Sequence, residues 1–287
     1  MTRPDEHGPI WDPNVDIATV ASFGDEWTHF DQSALPETEC ARLFDGYFRI
    51  FPWHRLSPAS EGFDMGCGSG RWAKLVAPRV GRLNCIDASA GALDVARRTL
   101  VEQQNIAFIH ASSNAVPLAR ASQDFGYSLG VLHHIPDTQA ALRACVSLLK
   151  PGAPFLLYLY YRFDNRPWWF RLVWRSSEIV RGVVSRLPGN TKPLVTNVIA
   201  ALVYWPLART AWLVERLGLD PGALPLSFYR DSSFYTMRTD SRDRFGTPLE
   251  QRFTCAEIET MMASAGLAQI RFSDAEPYWV ATGVKLA

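Results

Sequence analysis

A doubly wound α/β sheet of seven mostly parallel strands, carrying one long helical insertion, is the fold this sequence predicts. Three observations lead to it. Short apolar runs alternate with helical patterns from residue 61 to about 161, the order expected when each strand is followed by a crossover helix. The first of those runs ends in a glycine-rich turn, "DMGCGSG", where a helix must begin. The C-terminal stretch supplies one helix and two more strands, while residues 162–250 follow neither pattern.

The elements follow in order. "EGFDMG" reads as strand one and "RWAKLVAPRV" as its helix; "RLNCIDA" (82–88) is strand two. Leu93, Ala96 and Leu100 recur at helical spacing in "SAGALDVARRTLVEQQ". "NIAFIHA" (105–111) and "DFGYSLGVL" (124–132) are strands three and four, "TQAALRACVSLLK" is a helix stopped by Pro151 and Gly152, and "APFLLYLYY" is strand five. Near the end, "TCAEIETMMASAGL" (254–267) makes a helix that Thr254 caps and Gly266 helps end. "AQIRFSDAEPYWVATGVKL" supplies the last two strands.

Composition narrows the function. With 287 residues, 47% of them hydrophobic, and a formal net charge of zero, the chain fits one large globular domain, or one domain plus an insertion. Lys and Arg do not exceed Asp and Glu, which excludes the electrostatic footprint of a nucleic-acid binder. The five cysteines are an odd number, widely spaced and without a C-x-x-C pair; they read as reduced, mostly buried thiols and not as disulfides or a metal centre. The first twenty residues interleave Pro, Asp and Glu with no apolar stretch, so they do not read as a signal peptide, and a cytoplasmic chain is expected.

A glycine-rich turn between strand and helix lets a ligand approach the backbone and aims N–H groups at it. Dinucleotide folds space their glycines G-x-G-x-x-G to seat a pyrophosphate. Here Gly66, Gly68 and Gly70 run G-x-G-x-G behind Asp64, an acidic group that would repel a pyrophosphate and suits a cation. Asp87 ends strand two, where a carboxylate accepts both ribose hydroxyls. Adenosine with a cationic extension describes S-adenosyl-L-methionine.

"DMGCGSG", "CIDAS" and "YSLGVLHHIPD" resemble strand-end motifs of the class I S-adenosylmethionine-dependent methyltransferases that act on small molecules. The resemblance spans residues 61–161 and the C-terminal stretch, and implies a Rossmann-like sheet whose last strand is antiparallel. It implies that Asp64, Gly66, Cys67, Gly68 and Gly70 surround the methionine part, that Asp87 holds the ribose, that Ala88 lies near the adenine, and that Gly130 borders the cofactor. Where the family commonly has an acidic residue after strand three, this chain has Ser112, followed by Ser113 and Asn114. "VASFGDEWTHFD" (20–31) resembles the N-terminal helix that covers the cofactor, with Phe23, Trp27 and Phe30 as lid residues.

His133 and His134 follow strand four, where the methyl group meets its acceptor. A neutral imidazole near its ordinary pKa of about 6.5 takes a proton at neutral pH, whereas Asp243 or Glu26 needs a large upward shift. His134 is therefore the expected base and His133 its alternate, with Asp243 and His29 read as solvated loop residues.

Residues 162–250 are too apolar for a linker. From Arg162 to Lys192 seven cations face two acids, a balance of +5 in a neutral chain. "RPWWFRLVWRSSEIVRGVVSRL" places Trp169, Leu172, Val173, Ile179, Val180, Val183, Val184 and Leu187 on one face, with its charges largely opposite. "LVTNVIAALVYWPLA" (194–208), interrupted by Asn197 and Pro206, falls short of the roughly twenty residues of a spanning helix. A helical cap packed on itself over the active site is expected, its aromatic residues mostly filling its own core. The arginines of "FYRDSSFYTMRTDSRDRFGTPLEQRFT" are expected in internal salt bridges.

The expected chemistry is in-line methyl transfer to a small or lipid-linked acceptor, first a hydroxyl of a natural product or glycan precursor. C-methylation of an anionic isoprenoid-like substrate and a non-catalytic binding role are the alternatives. No metal and no nucleic acid are expected. Membrane-surface contact through the basic cap is expected, and the oligomeric state is open.

Overall fold

The computed structural model describes residues 13–287; residues 1–12 of the stretch read for a targeting signal lie outside these. Seven strands form one sheet in the order β3-β2-β1-β4-β5-β7-β6. β1 (Glu61–Met65), β2 (Arg82–Asp87), β3 (Ile106–His110), β4 (Phe125–Leu129) and β5 (Pro154–Tyr158) run parallel. The last strand, β7 (Ala281–Lys285), is antiparallel and lies between β5 and β6 (Leu267–Phe272). The strand order reverses direction between β1 and β4, which opens a crevice at the carboxyl ends of those strands. Every residue of β4 is buried, as befits a central parallel strand covered on both faces.

Two helices precede the sheet, α1 (Ile17–His29) and α2 (Glu37–Phe48). Asp16 caps α1 by accepting from the Thr19 amide at 2.7 Å. The helix after β1 is one short turn, α3 (Ala73–Val76), continued as a 3-10 turn, because Pro78 has no N–H for the preceding carbonyls. α4 (Ala90–Thr99) and α5 (Thr138–Leu148) start at Ser89 and Asp137, each capping through its side chain. On one face of the sheet, Leu93 and Ala96 pack with Tyr127 and with Phe44 and Phe48 of α2; on the other, Leu142 and Val146 pack with Phe63 and Phe155.

The cap contains α6 (Trp168–Val184), α7 (Lys192–Ile199), α8 (Trp205–Arg216) and α9 (Phe234–Gly246), before α10 (Cys255–Ser264) returns the chain to the sheet. Two expectations fail here. α7 and α8 are not interrupted at Pro206: they join into one helix of 25 residues, Lys192–Arg216. Pro206 cannot donate to a carbonyl one turn back, and the helix widens over Ala200–Tyr204 so that the Trp205 amide reaches the Ala200 oxygen. That helix is long and apolar enough to cross a membrane, with 28% of its most apolar window buried.

The second failure concerns α6. Its apolar stripe does not pack inward: Leu172, Ile179 and Val183 are all exposed, Ile179 by 73%, and only Val184 of the whole helix is buried. The opposite face is held inward by charge. Glu178 meets Arg181 at 3.0 Å and is paired with Arg244 of α9, while Arg181 donates to the Thr247 and Pro248 carbonyls. The cap's own core is therefore small, built on Val184, Tyr204, Ala208, Met237 and Phe245. Of the clustered aromatics, Trp168 and Trp205 face outward and Tyr204 is buried.

Candidate active site

The glycine turn is shaped by backbone that L side chains rarely adopt. Gly66 has φ of +80° and Gly68 of +54°. A Cβ on Gly66 would stand 2.4 Å from Val131, and one on Gly68 would stand 2.9 Å from the Trp27 indole. The Gly66 and Cys67 amides both donate to the Ile86 oxygen, pinning the turn across β2. Asp87 completes it: one carboxylate oxygen accepts from the Gly68 amide at 2.9 Å and the other from the Ser89 amide at 2.8 Å. Each oxygen retains a lone pair for a ribose hydroxyl. Burial raises the Asp87 pKa, and these amides oppose the rise.

Asp64 lies under the turn, almost wholly buried, with Oδ2 lacking a partner. Burial pushes its pKa up to about 8. Bare backbone at Gly66 and Gly68 and the open lone pairs of Asp87 together fit S-adenosylmethionine.

A cavity of about 460 Å³ opens above this turn. Gly66, Cys67, Gly68, Asp87, Ala88, Ser113, Gly130, Trp27 and His134 all line it. Asp64 and Gly70 do not; a Cβ on Gly70 would meet Leu100 at 2.7 Å, so that glycine serves the packing of α4. Ser112 and Asn114 are also absent from the wall, and Asn114 is exposed. The lid reading of α1 gains two residues, since Phe23 and Trp27 line the cavity, whereas Phe30 is buried against Tyr235. α1 approaches α4 closely at Gly24, where a Cβ would lie 2.7 Å from Ser89 Oγ. It is tied to α9 by the Asp25–Arg242 ion pair.

On the far side the wall is polar and aromatic. His134 Nδ1 stands 2.6 Å from the Leu249 oxygen, which fixes that nitrogen as the donor and leaves the Nε2 lone pair 3.7 Å from Asp243 Oδ1. Tyr160 donates to the other Asp243 oxygen. Tyr204 donates to Asp240 at 2.9 Å. Asp243 is thus a partly buried helix residue and not part of a solvated loop, while His29 is exposed beside Asp25. The pKa order expected from ordinary values is inverted. Burial holds His134 down to about 4, and burial lifts Asp243 to about 7 and Asp240 to about 6. Glu26, buried behind this wall with Oε2 unpartnered, is also raised by burial, then by Asp243. His133 does not line the cavity. It stacks between His134 and Tyr160 at ring separations of 4.0 and 3.9 Å, with both ring nitrogens unpartnered and its pKa lowered by burial.

Comparison with known proteins bears on the sheet side of this cavity. The family described as "Methyltransferase domain" matches residues 63–157, from β1 to β5. The chain is 32% identical over 193 residues to the ubiquinone biosynthesis O-methyltransferase of Idiomarina loihiensis, covering 60% of this chain and 71% of that relative. The chain belongs to the class I S-adenosylmethionine-dependent methyltransferases. This methyltransferase is also 31% identical over 154 residues to an O-methyltransferase of Pyrenophora dematioidea, across 51% of the chain and 57% of the relative, little more than half of that protein's length. Among solved structures, the S-adenosylmethionine-dependent methyltransferase SibL in its apo form superposes with a TM-score of 0.51 at 15% identity, over 88% of this chain and 57% of SibL; that likeness concerns the fold.

The matched segment ends before the cap, so Asp240 and Asp243 of the methyltransferase lie outside it. One signal for them was available in the sequence: Thr236, Asp240 and Asp243 recur at helical spacing on one face of α9, and all three line the cavity. Tyr158 and Tyr160, also in the wall, alternate along the end of strand five.

Proposed function

We propose that this methyltransferase methylates a hydroxyl oxygen of a small or amphiphilic acceptor, with Asp243 as the group that receives the hydroxyl proton. The observation that carries the reading is Asp243 in the cavity wall, held by Tyr160 on one oxygen and facing His134 with the other. Two relatives named as O-methyltransferases support the choice of oxygen. The arginines favour it over an anionic isoprenoid-like substrate, because three of the four that line the cavity are paired with internal carboxylates. Arg244 and Arg252 both bind Glu250, Arg166 binds Glu276, and Arg71 stacks on Trp72.

Bound S-adenosylmethionine would supply a methyl group already activated by its sulfonium, the methyl–sulfur bond breaking to leave S-adenosylhomocysteine. Asp87 and the Gly66–Gly68 backbone would hold the adenosine and methionine parts, Trp27 would cover them, and the cap would keep water from the reacting atoms. Asp243 Oδ1 would take the acceptor's hydroxyl proton as that oxygen is methylated. Tyr160 keeps that carboxylate oriented, and neutral His134 offers its Nε2 lone pair alongside. A carboxylate raised to about 7 is matched to proton transfer at neutral pH, whereas an imidazole lowered to about 4 is a weaker base.

The test is Asp243→Asn with a hydroxylated aromatic acceptor and labelled S-adenosylmethionine. Turnover is expected to fall by about 10² to 10⁴ with cofactor affinity unchanged. Only ionised Asp243 accepts a proton, so wild-type turnover should climb as pH rises through about 7, and the variant should lack that limb. Wild-type turnover in Asp243→Asn would remove the carboxylate from the reaction.

A further inference from the structure

We propose that the outward faces of α6 and of the Lys192–Arg216 helix form one docking surface for an anionic lipid bilayer, and that the cavity opens onto it. This goes beyond the methyl-transfer reading and is measured by binding alone.

The first observation is apolar exposure confined to one side of two helices. On α6 the stripe is Leu172, Ile179 and Val183; on the longer helix it is Leu194, Leu202 and Trp205, with Leu202 exposed by 72%. In water such surfaces are uncommon on a chain without a partner for them. The second observation decides how the longer helix lies. Its inner side is tied to α9 by directed polar bonds: Arg238 Nε to Asn197 at 2.8 Å, Ser241 Oγ to the Thr196 oxygen at 2.8 Å, and the Tyr204 hydroxyl to Asp240. A helix crossing the bilayer would have to break all three. The helix is long enough to span, yet only one face is apolar and free, which is the pattern of a helix lying in the interface plane.

Charge selects the lipid. Arg171 and Arg175 on α6 and Arg186 just past its end are exposed, and none of them forms an ion pair among the described residues. The acid of that helix, Glu178, is turned inward to Arg181 and Arg244. Arg216 at the end of the longer helix is exposed and stacks on Trp212 at 4.2 Å. Cations flank the apolar stripes without local acids to neutralise them, complementary to an anionic surface. Continuity with the cavity is the last observation. Val173 of α6 and Val203 of the longer helix, each next in the chain to a stripe residue, are exposed and also line the cavity, as does Leu207, so the mouth of the cavity adjoins the apolar stripes and an acceptor dissolved in the lipid meets an apolar path between the helices to Asp243.

The experiment is flotation of the full chain with phosphatidylcholine vesicles that do or do not contain phosphatidylglycerol. Binding is expected only with phosphatidylglycerol, weakened by added salt. It should fall about fivefold for each cation removed in Arg171→Ala and Arg175→Ala, and be lost in Ile179→Ser combined with Leu202→Ser, with thermal melts confirming that every variant is folded. Equal binding to both vesicles, no effect of the variants, or resistance to alkaline carbonate extraction would overturn the proposal, the last by showing a helix that crosses. A dimer in lipid-free solution that the Ile179→Ser and Leu202→Ser pair splits would also overturn it, since the face would then belong to a second copy.

Discussion

α4 and α6 are both amphipathic, and they sit in opposite ways. α4 buries Ala92, Leu93, Val95 and Ala96 against the sheet and turns Asp94, Arg97 and Arg98 to solvent. α6 turns Leu172, Ile179 and Val183 outward and holds Glu178 and Arg181 against α9. Periodicity states that a helix has two faces. What lies beside the helix states which face is inside: for α4 an apolar sheet, for α6 a buried network of Arg244, Glu250 and Arg252 around a polar cavity wall. The same division runs through the cavity, with the glycine turn and Asp87 on the sheet side and Asp240 and Asp243 on the cap side.

The largest test of that comparison uses leucines. Leu142, fully buried on α5, should cost about 2 to 5 kcal/mol when cut to Ala, while Leu202→Ala should stay within about 0.5 kcal/mol. Urea denaturation of both variants measures this; equal losses would mean that the Leu202 face is covered in solution. A smaller effect separates the two walls of the cavity. Asp87→Ala should weaken S-adenosylmethionine and S-adenosylhomocysteine by about tenfold or more in calorimetry, since a hydrogen bond to a charged group contributes about 1.5 to 3 kcal/mol; Asp243→Asn should leave both affinities alone. If both variants weakened the cofactor alike, the division into two walls would fail. The smallest effect sits on α6. A Cβ on Gly182 would meet nothing closer than the far end of Arg186 at 3.6 Å, so Gly182→Ala should raise stability by about 0.5 to 1 kcal/mol. The same change at Gly68 should lower it, because φ is +54° and Trp27 occupies the space.

The parts of the site that were legible in the sequence are those built by neighbours along the chain. Gly66, Gly68 and Asp87 could be placed because a strand, a tight turn and a helix start lie within a few residues of one another, and local backbone geometry dictates the residue types. The N-terminal lid was partly legible for the same reason: Phe23 and Trp27 fall one turn apart on one helix. The base was not. His134 looked the better candidate on its ordinary pKa, but proton affinity belongs to the environment. The groups that surround Asp243 come from β5, α9 and the segment after β4, which no spacing brings together.

By itself, then, the sequence determined the class of sheet, the cofactor turn and the amphipathic character of the cap helices, since each is a matter of local sterics and of period. Tertiary structure alone decided that Lys192–Arg216 runs as one helix despite Pro206, by widening a turn over Ala200–Tyr204. It also decided that α6 keeps Glu178 and Arg181 inside, and that burial raises the Asp243 carboxyl while it lowers the His134 imidazole. The physical reason is common to the last two decisions: burial penalises an isolated charge and accepts a paired one. Which charges find partners depends on segments distant in the chain, such as Glu178 with Arg244 and Asp25 with Arg242.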